Sequence, residues 1–293
     1  MTTPIPSGQF VQIANGLSIH SHEAGQSAEG QVPVVFLHGS GPGASGYSNF
    51  KRNYPVFAAQ GLRVLIPDMP GFGLSSKPED AQYVLDFFVE ALHGFLQALG
   101  IERCTLLGNS LGGAIALGYA LEYPDEVASL ILMAPGGVEE REAYFAMDGM
   151  QEMVSTFTGG PMDRDTMRRI LSLLVFDPPA IVDDELVEER FGVCETQPRT
   201  VLSTMRVPNM TDRLGEIRCP VLGFWGTEDR FNPVGGNIKL LKGCPDARFV
   251  LLNRCGHWVQ AEHRDYFNRE CLQFLQDVGL APTGAAKPVA ATV

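Results

Sequence analysis

Short apolar runs alternate with amphipathic stretches along the first half of the chain. Val32 to Leu37 is a continuous apolar run, the pattern of a strand buried on both faces, and Leu62 to Ile66 reads as another buried strand, stopped by Pro67. Gln9 to Ile13 and Leu17 to His22 flank Asn15-Gly16, a hairpin turn signal. Within Tyr83 to Leu99, Leu85, Phe88, Val89, Leu92, Phe95 and Leu96 share one helical face, and Gly100 ends the pattern. Cys104 to Leu107 predicts a strand, Leu111 to Glu122 a helix and Val127 to Met133 another strand. This alternation predicts an α/β fold: a mostly parallel central sheet with helices on both faces.

The alternation breaks at Pro135-Gly136-Gly137. From Val138 to Leu214 the pattern is helical, acidic and Met-rich, and predicts an inserted helical cap. Strand and helix patterns resume with Pro220 to Trp225, Pro233 to Leu241, Arg248 to Leu252 and Arg264 to Leu275. The expected organisation is a core of residues 1–137 and 215–278 with a cap of residues 138–214. Residues 279–293, rich in Ala, Pro, Gly and Thr, are expected to form a disordered tail.

Charge narrows the set of partners. The chain of 293 residues carries 34 acidic and 22 basic side chains, a formal net charge of −12. Nucleic acid and anionic membrane surfaces would be repelled, so neither is expected as a partner. No apolar run reaches the roughly 18 residues of a membrane span. Met1 to Ser7 lacks the basic and apolar regions of a signal peptide, so the expected compartment is the cytoplasm. The six cysteines are scattered without a C-x-x-C pair and are expected to be reduced and structural.

Gly108-Asn109-Ser110-Leu111-Gly112 carries the chemistry. It is a G-x-S-x-G pentapeptide between a buried strand and an Ala/Leu/Gly-rich helix, the setting of a nucleophile elbow. A serine hydroxyl needs a base and an orienting acid, which follow in the order Ser, acid, His in this type of fold. Asp229, in the turn after the strand ending at Trp225, is the candidate acid, with its neighbour Glu228 as the fallback. His257, on the loop Asn253-Arg254-Cys255-Gly256-His257-Trp258, is the candidate base. The loop Gly39-Ser40-Gly41-Pro42-Gly43 would supply one backbone N–H to a developing oxyanion, and Leu111 the other.

Other histidines and a second glycine motif compete. His38 ends a strand at a position that shapes an oxyanion loop. His20 and His22 share a strand face, but no third ligand lies nearby in sequence, so no metal is expected. His93 and His263 read as structural. Gly41-Pro42-Gly43-Ala44-Ser45-Gly46 fits a dinucleotide-binding fingerprint, with Asp68 near the end of the next strand. Pro42 removes a donor that pyrophosphate would use, Tyr47 to Phe50 are poor openers of a tightly packed helix, and the elbow would be left unexplained. No cofactor is expected.

The segments His38 to Gly46 with Asn49-Phe50, Asp68-Met69-Pro70-Gly71-Phe72-Gly73, Gly108 to Gly113, and Cys255-Gly256-His257-Trp258 through Glu262-His263 resemble the meta-cleavage-product hydrolases. The resemblance runs from about Gln9 to Gln276. It implies an α/β-hydrolase fold and cofactor-free cleavage of a carbon–carbon bond in 2-hydroxy-6-oxo-hexa-2,4-dienoates, products of aromatic ring cleavage. It implies Ser110, Asp229 and His257 as triad and the Ser40 and Leu111 amides as oxyanion hole. It further implies Arg190 as the carboxylate ligand, with Gly41, Asn49, Asn109 and Trp258 around the same substrate end. A small-molecule dienoate would be the partner, and a homo-oligomer the assembly.

The chain departs from the family in two places. Asp177-Pro178-Pro179-Ala180 is one residue longer than the usual stretch, and Leu174 stands where some members carry an aromatic, which bears on the distal pocket. Apart from the resemblance, Arg190 reads as a solvated helix charge paired with Glu188 or Glu189. A carboxylesterase and a non-catalytic binding protein on the same fold are the competing functions.

Overall fold

The computed structural model describes residues 5–26, 30–160 and 162–282. Eight strands form one sheet: β1 (Gln9–Gln12), β2 (Ser18–Ala24), β3 (Val34–Leu37), β4 (Val64–Pro67), β5 (Cys104–Asn109), β6 (Val127–Met133), β7 (Val221–Gly226) and β8 (Ala247–Leu252). Their order is β1-β2-β4-β3-β5-β6-β7-β8. The β1–β2 and β2–β4 pairs are antiparallel and the remaining pairs parallel.

The strands alternate between two cores, as period-two geometry requires. Val35, Leu37, Leu130 and Leu132 face α3 (Leu85–Ala98) and α4 (Leu111–Glu122). Val34, Phe36, Ile131 and Met133 face the other side. That side is covered by α1 (Gly46–Phe50), α2 (Tyr54–Ala59) and α13 (Arg264–Asp277), through Phe50, Phe57, Phe267 and Phe274. Two further helices are α11 (Gly236–Gly243) and α12 (Val259–Glu262). A hydrophobic stripe on both faces explains why β3, β5 and β6 read as mostly apolar segments rather than as an apolar–polar alternation.

Between β6 and β7 the chain is helical: α5 (Arg141–Phe145), α6 (Asp148–Gly159), α7 (Arg164–Leu173), α8 (Pro178–Ile181), α9 (Asp184–Cys194) and α10 (Thr200–Thr204). Asp163 and Asp183 cap α7 and α9, accepting from the Thr166 and Leu186 amides. Met167, Leu171, Leu174, Val187, Phe231 and Trp258 form a third apolar cluster, which joins these helices to the loops above the sheet. Leu85 N–H donates to Arg206 O at 3.0 Å, tying the far end of the insert to the start of α3.

Three sequence expectations need correction. The Tyr47 to Phe50 stretch, read as a poor helix opener, does form a short helix, because Ser45 and Ser48 build a capping box at its start. Helix α2 was not expected; Pro55 at its first turn supplies the helical φ that its aromatic and β-branched residues do not favour. Order extends past 279: Leu280 N–H donates to Leu275 O at 2.7 Å, and Leu280 and Ala281 pack on the α13 core. The rest of the expected tail, 283–293, lies outside the described residues.

Candidate active site

Ser110 sits at the end of β5, between strand and helix, with φ 55° and ψ −115°. A non-glycine residue is strained there, and the strain holds the side chain out of the strand–helix turn. The turn closes only because its flanking residues lack side chains. A Cβ on Gly112 would lie 2.0 Å from Leu37 O. Leu111 opens α4, so its amide has no intrahelical acceptor and is available to an anion. Ser40 and Leu111 line a cavity wall beside Ser110.

The acid and base meet above the C-terminal ends of β7 and β8. His257 Nδ1 lies 2.7 Å from Asp229 Oδ2, and both side chains are buried. Asp229 Oδ1 accepts from the Phe231 and Asn232 amides at 2.8 and 2.9 Å. Every Asp229 oxygen is therefore engaged, and the carboxylate is fixed as an imidazole partner. Glu228, the fallback acid, is turned elsewhere: it bonds Thr227 and accepts from the Cys255 amide at 3.3 Å. Asn109 Nδ2 donates to His257 O at 3.2 Å, joining the histidine loop directly to the elbow. Ser110 and His257 line the same small cavity.

Two cavities flank Ser110. The smaller, about 40 Å³, is lined by Gly41, Asn49, Asn109, Arg190, His257 and Trp258 among others. The larger, about 430 Å³, lies under the helical insert and is walled by Met150, Met153, Val154, Leu202 and Val207. Ser40, Ser110, Met150, Met153 and Asn232 border both. Leu174 lines the small cavity and not the large one, so the departure at this position bears on the polar end.

Arg190 is not the solvated charge that its acidic neighbours suggested. Glu188 pairs with Arg164, and Glu189 is held by Lys51 at 2.6 Å. Arg190 is 1 % exposed. Its guanidinium donates to Pro42 O at 3.4 Å and Asn49 Oδ1 at 3.2 Å and stacks 5.0 Å from the Trp258 ring centre. Among the described residues its Nε has no hydrogen-bond partner, and neither do Asn49 Nδ2 or Asn109 Oδ1. Burial pushes its pKa down to about 10, and the nearby Glu189 carboxylate offsets this only in part. A buried cation with idle donors, beside a second idle amide, is a site prepared for an anion. Gly43 permits the approach of α9: a Cβ there would lie 1.8 Å from Arg190 O.

Sequence reasoning missed the residues that brace this site. Asp68, weighed above as a dinucleotide acid and as the start of a family-resembling segment but given no bracing role, accepts from Gly46 N at 2.7 Å and Leu74 N at 2.9 Å and pairs with His20 Nδ1 at 2.8 Å. Burial alone would raise its pKa; the His20 hydrogen bond and nearby His38 hold it below the usual value. His38 bonds Gly39 O through Nδ1 and accepts from Met69 N through Nε2, and burial pushes its pKa below the usual value. His22 packs edge-on against His20 and beside Tyr47, His93 stacks on Tyr123, and His263 lies 3.4 Å from Arg254 O. Gln197 accepts from Gly43 N at 2.9 Å. Glu262 accepts from Gly256 N at 2.7 Å and Phe176 N at 2.6 Å, linking the histidine loop to the insert. The partners that tie separate segments together, Gly46 for Asp68, Gly43 for Gln197 and Phe176 for Glu262, lie far away in sequence, so no local motif signals them.

The geometry agrees with what similar proteins reveal. The family described as alpha/beta hydrolase fold matches residues 32–161. A 2-hydroxy-6-oxo-6-phenylhexa-2,4-dienoate hydrolase of Burkholderia cepacia is 39% identical over 283 residues, spanning 92% of this chain and 96% of the relative. The chain belongs to the meta-cleavage-product hydrolases. Within this family, a 2-hydroxy-6-oxononadienedioate/2-hydroxy-6-oxononatrienedioate hydrolase of Comamonas testosteroni is also 39% identical, over 92% of this chain and 96% of its own. A solved meta-cleavage product hydrolase from Pseudomonas fluorescens IP01 superposes with a TM-score of 0.81 at 28% identity, covering 92% of this chain and 98% of that one.

Proposed function

We propose that this meta-cleavage-product hydrolase hydrolyses the C5–C6 bond of a 2-hydroxy-6-oxo-hexa-2,4-dienoate, releasing 2-hydroxypenta-2,4-dienoate and a carboxylic acid. The observation that carries the reading is the position of Ser110 between a small cavity lined by a buried guanidinium with an idle Nε and a large apolar one. The dienoate carboxylate binds Arg190 with help from Asn49, and Gly41, Asn109 and Trp258 bound the same end. The C6 carbonyl then lies at Ser110, and the C6 substituent enters the large cavity.

The chemistry runs in two stages. A proton leaves the 2-hydroxyl and another arrives at C5, giving a ketone that makes C5 a competent leaving carbon. His257, oriented by Asp229, serves these transfers and activates Ser110. Addition at C6 follows, with its oxyanion held by the Ser40 and Leu111 amides, each contributing about 3–4 kcal/mol. The C5–C6 pair moves through C4 and C3 onto the C2 oxygen, water's hydroxyl ends on C6, and its proton ends on the dienoate.

Residues 138–214 serve as the cap that closes the reaction from water. We assign the chain to the cytoplasm on chemical grounds, since its six cysteines are free thiols and five are buried. A homo-oligomer, without nucleic acid or membrane, is the proposed form. The outer edge of β8 supports it, being an unpaired strand edge with Leu251 48% exposed. Light scattering of the purified protein tests the assembly. Incubation with a yellow 2-hydroxy-6-oxo-6-phenyl-dienoate tests the reaction. Bleaching with release of 2-hydroxypenta-2,4-dienoate is expected; turnover of aryl esters alone would make it a carboxylesterase.

A further inference from the structure

The large cavity has an apolar body and a cationic mouth. Arg141 on α5, Arg199 just before α10 and Arg206 just after it all line the cavity and are all exposed. No Asp or Glu is among the lining residues. Most other surface arginines are matched with carboxylates, such as Arg63 with Glu23, Arg213 with Glu122 and Glu216, and Arg230 with Asp148; among the described residues, Arg103 and Arg254 are isolated exceptions away from the cavity. Among the described residues, none of the three mouth arginines has a carboxylate partner. Arg141 lies over the Phe145 ring, and Arg206 donates to Ser203 O and Met205 O. In a chain of net charge −12, three unmatched cations around one opening reverse the prevailing surface charge.

Position adds the second observation. The three exposed arginines line the same cavity as Ser110, together with Met150, Met153, Val154, Leu202 and Val207. A ligand that reaches from Ser110 to these cations needs an apolar body and an anionic tip. A volume of about 430 Å³ exceeds what a single phenyl group fills. We infer that the preferred substrates carry at C6 a bulky apolar group ending in a carboxylate, which Arg141, Arg199 and Arg206 steer and hold. The inference rests on the carbon–carbon hydrolase reading and names the substrate class within it. Being exposed, the three cations act modestly and through screened charge, so their effect falls with salt.

The test compares two substrates with the same dienoate head, one with a C6 phenyl group and one with a C6 biphenyl group bearing a terminal carboxylate. At low ionic strength the wild type should favour the carboxylate-bearing substrate by about 10-fold in kcat/KM, and high salt should erase most of that preference. The Arg141→Gln/Arg199→Gln/Arg206→Gln variant should lose the preference while turnover of the phenyl substrate stays unchanged. Arg199→Glu, at a side chain with no hydrogen-bond or ion-pair partner among the described residues, should alone weaken the preference several-fold without disturbing folding. Equal turnover of both substrates by the wild type, or a preference that survives these variants, would overturn the inference. Failure of both dienoates to react would instead remove the carbon–carbon hydrolase reading, and this inference with it.

Discussion

The two cavities beside Ser110 solve opposite problems. The small one stores electrostatic free energy: Arg190 is buried, depressed to a pKa of about 10, and left with an idle Nε. The large one stores apolar surface, with methionines, valines and a leucine facing empty space. Each is unfavourable in the free protein and is relieved by one end of a substrate. The polar end therefore sets which class of molecule is accepted, since an unpaired buried charge discriminates strongly. The apolar end sets which member, since adding or removing a methylene changes binding by only about 1–3 kcal/mol.

The largest expected effect removes the group common to both sides. Ser110→Ala should lower kcat for dienoate cleavage by on the order of 10⁴-fold with an unchanged circular dichroism spectrum. Next comes the polar side alone. Arg190→Met should cost about 4 kcal/mol, roughly 10³-fold in kcat/KM, mostly through KM. An aryl ester without a carboxylate should be little affected, and Tm should rise by a few degrees, since a desolvated buried charge has gone. A lowered Tm with both substrates equally impaired would make Arg190 structural.

Asp68→Asn tests whether the polar side depends on its braces. It should cost about 3 kcal/mol of stability at pH 7, measured by urea unfolding, by leaving His20 and the Gly46 amide without their anion. Because the folded state holds this carboxylate below its usual 3.8, the stabilisation is complete above that value. It should shrink as pH falls below it, so wild type and variant should converge in acid. The smallest effect concerns the apolar side. Val207→Trp should lower kcat/KM for a C6-phenyl dienoate by about 10-fold and leave a C6-methyl dienoate nearly unchanged.

The same division separates what sequence could reveal from what it could not. The sheet was legible because β3, β5 and β6 are buried on both faces and therefore read as mostly apolar segments. The proposed triad was legible because an elbow needs glycines around its serine and because Asp229 and His257 each follow a strand end. The family resemblance supplied Arg190, whose own neighbours Glu188 and Glu189 argued for an exposed ion pair. Only the fold reveals that Arg164 and Lys51 take those carboxylates away. The braces Asp68, Gln197 and Glu262 were illegible for the same reason: each acts on backbone amides far off in sequence. Helices α1 and α2 escaped because capping by Ser45 and a first-turn proline outweigh weak propensity.

The most direct test is a crystal structure of Ser110→Ala soaked with a C6-phenyl dienoate. The account predicts the dienoate carboxylate on Arg190 and Asn49, the C6 carbonyl beside the Ser40 and Leu111 amides, and the phenyl group among Met150, Met153 and Val207. A ligand bound the other way round, or one whose carboxylate leaves Arg190 untouched, would contradict it.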